Sequence, residues 1–258
     1  MFFSSDNISI YANIDYLLNA STKISFGARW EDYESKYSDS FDENFSPSDR
    51  MSGGKISVSK NLNEQTNIFF NLAKGFNQGG FNLNLGLDPN SQNNNLYYDP
   101  EFLTNYEIGF NSEISNSKIT ISGIIFHSNR EDQQVLISTQ VDPSDPNTFT
   151  FLTQNAAEGI NRGLELNMTM QVSNSLDVFF NLGLLKTEIK NWESRPDLEG
   201  RAQAHAPEKS YALGLKWNPF ENSFLSINLV GKSDFYYSDS HNNKSKSYAL
   251  TNINYSYI

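Results

Sequence analysis

Apolar and polar residues alternate along most of this chain. Between positions 24 and 30, and again between 164 and 172, every even position is apolar and most odd positions are polar or small. Successive side chains of a β-strand point to opposite faces, so this period of two predicts strands with one apolar and one polar face. We predict about eleven strands, most of them about 10–14 residues long. They begin near positions 7, 22, 51, 66, 102, 118, 158, 176, 207, 223 and 247.

The lengths of the strands and of their connections favour a membrane protein. Strands of soluble proteins average about five or six residues, whereas a tilted strand that crosses a membrane needs about 9–11. Short connections are predicted near 17–21, 61–65, 115–117, 173–175 and 218–222, and they alternate with long ones near 33–50, 76–100, 130–157, 191–206 and 236–246. The predicted fold is therefore an all-β, antiparallel transmembrane β-barrel with short periplasmic turns and long external loops.

The strand count and the two ends of the sequence indicate a fragment. Bacterial single-chain barrels have even numbers of strands, and eleven is odd. The first residues lack the basic start and the sustained apolar run of a signal peptide, and the last predicted strand stops within its pattern. We therefore expect a partial barrel without its export signal.

Composition excludes several classes of function. The net charge of −11 is opposite to that of a nucleic-acid-binding protein. The absence of cysteine excludes disulfide frameworks, thiolate metal sites and thiol nucleophiles. The sequence contains no Gly-x-Ser-x-Gly elbow, and its carboxylate pairs lie in predicted loops, so no enzyme activity and no cofactor are predicted. The hydrophobic share of 38% is too low for a large conventional core.

Metal binding is also not predicted. His127, His205 and His241 are widely separated, whereas a metal site needs ligands that converge. The acidic residues between 31 and 50 form no ordered calcium-ligand pattern, and we interpret them as a solvated loop.

Five segments carry a resemblance to a known family. They are residues 73–82, 99–110, 126–135, 155–166 and 206–211. In this order they resemble the C-terminal half of the barrel of a TonB-dependent outer-membrane receptor, although Asn111 stands where that family often has a basic residue. The resemblance implies that residues 1–258 form one partial barrel domain, about half of a 22-stranded barrel. It also implies that the N-terminal plug domain and the final strands are absent.

The resemblance implies a transport function. The full protein would lie in the outer membrane of a Gram-negative bacterium, surrounded by its lipid. It would import a small nutrient ligand such as a ferric siderophore or another ferric chelate, with energy supplied by TonB through the missing plug domain. Two alternatives remain: a passive outer-membrane porin or channel, and a soluble or surface β-structured adhesin.

Two sets of candidate site residues follow. The first contains residues expected to face ligand in the external loops: Phe76, Asn77, Gln78, Phe81 and Arg130. The alternative for this segment is a tight loop exit in which Gly79 and Gly80 supply positive φ angles. The second set contains charged residues expected on the inward face, lining the lumen: Lys23, Arg29, Lys74, Arg162, Glu165 and Lys216. The alternative for this set is that these residues only pair with one another across strands.

Overall fold

A computed structural model describes residues 2–38, 44–82, 96–114, 118–140, 142, 144–145, 147–192, 195–239 and 241–257. Its strands are β1 (Phe2–Asn19), β2 (Thr22–Ser38), β3 (Asn44–Phe45), β4 (Ser48–Asn61), β5 (Thr66–Asn77), β6 (Gly80–Phe81), β7 (Tyr97–Tyr98), β8 (Glu101–Ile114), β9 (Ile119–Gln140), β10 (Phe149–Ser173), β11 (Leu176–Lys190), β12 (Lys209–Trp217), β13 (Ser223–Lys232) and β14 (Tyr248–Tyr257). A short 3₁₀ helix, Pro196–Leu198, lies between β11 and β12.

Eleven long strands form one antiparallel sheet in the order β1-β2-β4-β5-β8-β9-β10-β11-β12-β13-β14. Each long strand pairs with the next long strand of the chain, β3 adds to β2, and β6 and β7 form a separate two-stranded hairpin. This confirms the predicted all-β, antiparallel class and the predicted number of long strands. Among the described residues, no helix is long and apolar enough to cross a membrane.

Short and long connections lie at opposite ends of the sheet. The strand bounds leave 20–21, 62–65, 174–175 and 218–222 at one end, and 39–47, 78–100, 141–148, 191–208 and 233–247 at the other. The predicted asymmetry is therefore confirmed, while the predicted turn at 115–117 lies outside the described residues. The predicted long loop at 130–157 is wrong, because β9 continues to Gln140 and β10 begins at Phe149.

The ladder registers continue one apolar face from strand to strand. Residues paired directly across neighbouring strands point to the same face. One such row crosses eight strands and is aliphatic or aromatic throughout: Tyr16, Ile24, Val58, Phe70, Ile108, Ile125, Leu164 and Leu184. Ile108 and Ile125 are 60% and 58% exposed, although large apolar patches are rare on soluble proteins. We call this side of the sheet the apolar face and the opposite side the polar face.

The polar face is joined by hydrogen bonds between side chains. Ser57 Oγ donates to Asn71 Oδ1 at 2.6 Å, and Asn71 Nδ2 donates to Glu107 Oε2 at 3.0 Å. Asn105 Nδ2 donates to Glu107 Oε1 at 2.8 Å, and Asn105 Oδ1 accepts from Ser128 Oγ at 2.6 Å. The network spans β4, β5, β8 and β9. It gives hydrogen-bond partners to polar groups that the sheet partly removes from water.

The polarity of the two faces changes along β2, at Trp30. Between the short-turn end of β2 and Trp30, the apolar face carries residues such as Phe26. Between Trp30 and the long-loop end, which we call the upper end, the same face carries Asp32 and Glu34. On the polar face above this level, Tyr37 is buried with only 4% of its surface exposed. Trp30 therefore marks the upper limit of the apolar band, and the strands continue beyond it toward the long loops.

Among the described residues, one cluster of buried hydrophobic side chains is found, and it lies at the long-loop end of the sheet. It contains Val135, Ile189, Trp192 and Leu198, with Ile137 packed against it. It joins β9 and β11 to the 3₁₀ helix and does not underlie the sheet. This agrees with the low apolar content of the sequence.

Candidate functional site

A buried carboxylate lies on the polar face near the long-loop end. Glu31 is 0% exposed and accepts a hydrogen bond from Asn7 Nδ2 at 3.0 Å. Arg29 and Gln78 also donate to its two carboxylate oxygens. A buried charge is costly unless it is paired and hydrogen-bonded, so Glu31 holds together β1, β2 and the segment that follows β5.

A second carboxylate, Glu101 at the start of β8, accepts from β9. Arg130 Nε donates to its Oε1 at 2.6 Å, and the backbone N–H of Gln134 donates to its Oε2 at 3.0 Å. The Gln134 side chain accepts from Asn77 Nδ2 at 2.8 Å and donates to the carbonyl of Gln78 at 2.8 Å. These charge-assisted and neutral bonds fix the strand ends relative to one another.

An open cavity of about 370 Å³ lies beside this ion pair. It is lined by Gly75, Phe76, Asn77, Glu101, Leu103, Arg130 and Asn161. Its volume falls within the range of small-molecule sites, ~300–1,000 Å³. Asn161 Oδ1 is buried and has no hydrogen-bond partner among the described residues. Buried acceptors are normally satisfied, so this oxygen is an unpartnered acceptor in the wall of the cavity.

A glycine permits the position of the Phe76 ring. The β4–β5 ladder ends at Gly54 and Lys74, and Gly53 lies just above it. A Cβ at Gly53 would lie 2.7 Å from the Lys74 carbonyl oxygen and 3.4 Å from the Phe76 ring. The Arg29 guanidinium carbon lies 5.7 Å from the Phe76 ring centroid, within cation–π range.

The β6–β7 hairpin is attached to the polar face by aromatic contacts. The Phe81 ring centroid lies 5.8 Å from that of Phe3, 5.4 Å from that of Tyr37 and 5.3 Å from that of Tyr97. Tyr97 also donates its hydroxyl to the Asp49 carboxylate. Burial, together with the neighbouring carboxylate of Asp49, raises the pKa of the Tyr97 hydroxyl, which favours the protonated donor.

A residue next to the hairpin attaches it to β10. Asn82 Nδ2 donates to the Thr153 carbonyl at 2.7 Å, and Asn82 Oδ1 accepts from the Thr153 N–H at 2.7 Å. The predicted positive φ at Gly79 and Gly80 is wrong, since Gly200 is the glycine with positive φ in the described segments. At Gly79 the requirement is space, because a Cβ would lie 2.6 Å from the Tyr98 carbonyl oxygen, a backbone atom.

Three of the five residues predicted to face ligand lie together. Phe76, Asn77 and Arg130 line the 370 Å³ cavity. Gln78 instead binds Glu31, and Phe81 belongs to the aromatic contacts of the hairpin. No group of three or more His, Asp or Glu residues within the described ranges is arranged to hold a metal ion. Part of the acidic loop considered in the sequence, residues 39–43, lies outside those ranges.

Comparison with known proteins assigns the chain to a family. The family model described as "TonB dependent receptor-like, beta-barrel" matches residues 2–257. The chain belongs to the TonB-dependent receptor family. This family consists of transport receptors, not enzymes, and its members are outer-membrane proteins.

Solved structures share the fold at low sequence identity. The ferric yersiniabactin uptake receptor FyuA from Yersinia pestis has a TM-score of 0.75 and 14% identity, over 97% of this chain and 38% of its own. The siderophore receptor PiuA from Acinetobacter baumannii has a TM-score of 0.74 and 17% identity, over 96% and 36%. The copper transporter OprC has a TM-score of 0.74 and 13% identity, over 98% and 41%. The chain thus spans about two fifths of the length of these three proteins.

The registers assign a face to each charged residue predicted to line the lumen of this TonB-dependent receptor barrel. Lys23, Arg29, Glu165 and Lys216 lie on the polar face. Lys74 shares the apolar face with Leu72, and Arg162 shares it with Leu164, so the prediction is wrong for these two residues. Each stands two positions from an apolar-face residue, and the period of two therefore points it away from the polar face.

Sequence reasoning missed several residues that organise the long-loop end of the sheet. Glu31 and Glu101 receive the hydrogen bonds around which the strand ends assemble, and Tyr97 and Asp49 attach the hairpin. A local signal existed for Glu31, which has the same parity as Arg29 in the alternating segment of β2. Tyr97 and Asp49 are 48 positions apart, and no periodic pattern relates them.

Proposed function

We propose that this chain forms part of the wall and external mouth of an outer-membrane receptor in a Gram-negative bacterium. The receptor takes up a metal chelate such as a ferric siderophore, and TonB energises this transport through a plug domain. Membership of the TonB-dependent receptor family supports the transport class. The structurally similar proteins include a ferric yersiniabactin uptake receptor, a siderophore receptor and a copper transporter, which supports a metal-containing cargo.

The cavity beside Arg130 is the observation that carries this proposal. Its lining combines the Arg130 guanidinium, the amide of Asn77 and the unpartnered Asn161 oxygen with the aromatic ring of Phe76. Ferric chelates present oxygen-rich and often anionic surfaces, and a guanidinium binds such oxygens with directional hydrogen bonds. The lumen-lining role proposed for Lys23, Arg29, Glu165 and Lys216 follows from their place on the polar face.

Neither alternative function is preferred. A passive porin differs from this family in needing no energy from TonB, so uptake that requires TonB separates the two. A β-structured adhesin would bury a dry apolar core between its sheets. The described apolar face leaves Ile108 and Ile125 exposed, which fits contact with lipid instead.

Uptake by whole cells tests the proposal. The receptor, as its gene encodes it, is expressed in a strain that lacks its own chelate receptors, and radiolabelled iron uptake is measured with a panel of ferric chelates. At least one chelate should be taken up, and only when TonB is present. Arg130→Gln should weaken binding of that chelate by about tenfold or more, because a hydrogen bond to a charged group contributes about 1.5–3 kcal/mol.

Two further variants make the uptake test specific. Asn161→Leu should also reduce uptake, and it leaves the Arg130–Glu101 pair intact. Arg195→Gln is the matched control, because Arg195 pairs with Asp197 in the 191–208 loop and is not part of the cavity lining. Uptake without TonB, or unchanged uptake by both cavity variants at equal receptor abundance, would reject the proposal.

A further inference from the structure

Two arginines near the 370 Å³ cavity are each paired with a buried glutamate. Arg130 directs both Nε and Nη2 to Oε1 of Glu101, at 2.6 and 2.5 Å, and Glu101 is 8% exposed. Arg29, whose guanidinium lies over the Phe76 ring, donates to Glu31. In each pair the glutamate balances the charge of the guanidinium, so neither arginine adds net positive charge to the cavity. An anionic group that enters would compete with a carboxylate that is already in place.

The segments that adjoin the Arg130–Glu101 pair carry a surplus of carboxylates. From 131 to 158 the sequence contains five Asp or Glu residues and no Lys or Arg. Asn155 Nδ2 donates to the backbone carbonyls of both Asp99 and Asp132, at 2.8 and 2.9 Å, so these two acidic residues lie close together. In the described part of the chain, no cation lies at ion-pair distance from the carboxylates of Asp99, Glu131, Asp132, Asp142, Asp145 and Glu158. The long-loop end beside the cavity is therefore negatively charged, and such a field repels anions.

The cavity offers one open donor and one open acceptor. Arg130 Nη1 has no hydrogen-bond partner within the described ranges, and it can donate to an oxygen. Asn161 Oδ1 is buried and unpartnered, and it can only accept. A carboxylate or phosphate at neutral pH has acceptor oxygens and few or no donors, so it leaves the Asn161 oxygen unsatisfied. A group that combines an oxygen with an N–H, such as an amide, can satisfy both atoms.

We propose that the receptor selects metal chelates that carry no net negative charge and that turn an amide- or amine-bearing face toward this cavity. An oxygen of that face accepts a hydrogen bond from Arg130, and an N–H donates to Asn161. Glu101 sets the charge preference, because it orients the Arg130 guanidinium and balances its charge. This inference rests on the proposed function, and it names the class of chelate within it.

One ferric chelate prepared in three charge forms tests this preference. A linear ferric trihydroxamate that ends in a free amine carries one positive charge, its N-acetyl derivative is neutral, and its N-succinyl derivative carries one negative charge. The coordination of iron is the same in all three, so differences in affinity come from the terminal group. Binding to the purified receptor, as its gene encodes it, is measured by tryptophan fluorescence at low and at high salt. At low salt the amine form should bind about tenfold or more tighter than the succinyl form, and salt should narrow the difference.

Glu101→Gln separates the ion pair from the general field of the carboxylates. Without the Glu101 charge the Arg130 charge is unbalanced, so the succinyl form should gain about tenfold or more in affinity, while the amine form gains none. The amide oxygen of this variant can still accept from Arg130 and from the Gln134 N–H. Glu199→Gln is the matched control, because it removes the same charge from an exposed position outside the cavity lining. It should leave the order of affinities unchanged.

The order of affinities in the unaltered receptor decides the inference even if Glu101→Gln does not fold. Succinyl binding as tight as amine binding, or no binding of any form, would overturn it. An unchanged succinyl affinity in folded Glu101→Gln, or an equal gain in Glu199→Gln, would remove the role of Glu101. Each of these results can occur while another ferric chelate is taken up with TonB, so failure here is distinct from failure of the proposed function.

Discussion

At the scale of the single residue, neighbouring positions of one strand lie in different surroundings. On β10, Leu166 pairs with Leu182 on the apolar face, whereas Asn167 pairs with Asn181 on the polar face. The two positions are adjacent in the chain and belong to the same ladder. The difference between them is the face to which the side chain points, and the membrane makes that difference large.

Arginine substitutions at these two positions should have very different effects on stability. Leu166→Arg places a cation in the apolar band and should destabilise the membrane-inserted receptor by about 2–4 kcal/mol. Asn167→Arg should cost much less, because this side chain lies on the polar face beside other polar groups. The measurement is the free energy of unfolding from lipid vesicles, by urea titration of each variant of the receptor as its gene encodes it.

Met168→Arg provides an internal check on the same face. Met168 pairs with Phe180, and it should behave like Leu166→Arg. Equal costs for Leu166→Arg and Asn167→Arg would contradict the assignment of faces. A larger cost at Asn167 would indicate a register slip by one residue, which exchanges the two faces.

The same parity explains which residues could be assigned from sequence. Lys23 and Arg29 were placed correctly because they alternate with clear apolar positions. Lys74 and Arg162 were assigned to the polar face because of their charge, although their parity is that of Leu72 and Leu164. Charge alone was misleading because a cation is tolerated on the apolar face at the limit of the band, where it can reach polar groups.

At the scale of the element, strand formation persists beyond the apolar band. The β9–β10 ladder extends to the pair of Gln140 and Phe149. It therefore includes residues from the 130–157 segment, which the sequence predicts to be a loop. Alternation predicts strands only where the two faces have different surroundings. Beyond Trp30 alternate residues of β2 are still buried, but the buried positions include the polar residues Glu31 and Ser35, so the apolar–polar alternation of the sequence no longer reports the strand. Starting positions of strands at the short-turn end were therefore predictable, and their ends at the long-loop side were not.

The β6–β7 hairpin should open at alkaline pH. The raised pKa of Tyr97 means that the attached hairpin holds the phenolic proton more tightly than the open form does. Its contribution is therefore complete below about pH 10, the ordinary pKa, and is lost as the pH rises toward the raised value. Burial also raises the pKa of Asp49, so acidification through its range does not detach the hairpin by this route.

Thiol labelling measures this opening, since the sequence contains no cysteine. Leu96→Cys places a thiol at a position that is 8% exposed, next to Tyr97, and Ser144→Cys gives an exposed reference for intrinsic reactivity. Adding Tyr97→Phe should speed labelling at position 96 about tenfold at pH 8, because a charge-assisted hydrogen bond is lost. It should also remove the acceleration above pH 10. Identical rates with and without Tyr97→Phe would show that this bond does not hold the hairpin.

At the scale of the whole molecule, the sheet is a wall with two free ends. β1 and β14 stand at the ends of the strand order, and no ladder joins them among the described residues. Every residue of β14 is exposed. Among the described residues no second layer covers the apolar face, and the small buried cluster lies among the loops. The described sheet therefore has no core beneath it, and under the proposed function lipid covers its apolar face.

These edges determine how the 258-residue chain should behave when it is expressed by itself. Each edge strand presents a row of unpaired N–H and C=O groups, and in lipid each unsatisfied group costs several kcal/mol. In water, the same edges pair with other chains. We therefore predict that the isolated chain aggregates or is degraded. It should form neither a closed monomer nor a chelate-binding receptor.

To measure whether the isolated chain forms a closed monomer, it is refolded into detergent and into liposomes. Gel mobility with and without heating and protection from protease are then measured. The ferric yersiniabactin uptake receptor FyuA, refolded in parallel, is the control and should run as a compact, heat-modifiable, protected species. The isolated chain should show the same mobility before and after heating and should be digested. A heat-modifiable, protease-resistant monomer of the isolated chain would mean that β1 and β14 pair and that eleven strands can close. In that case the open edges of the sheet would not represent its state in the membrane.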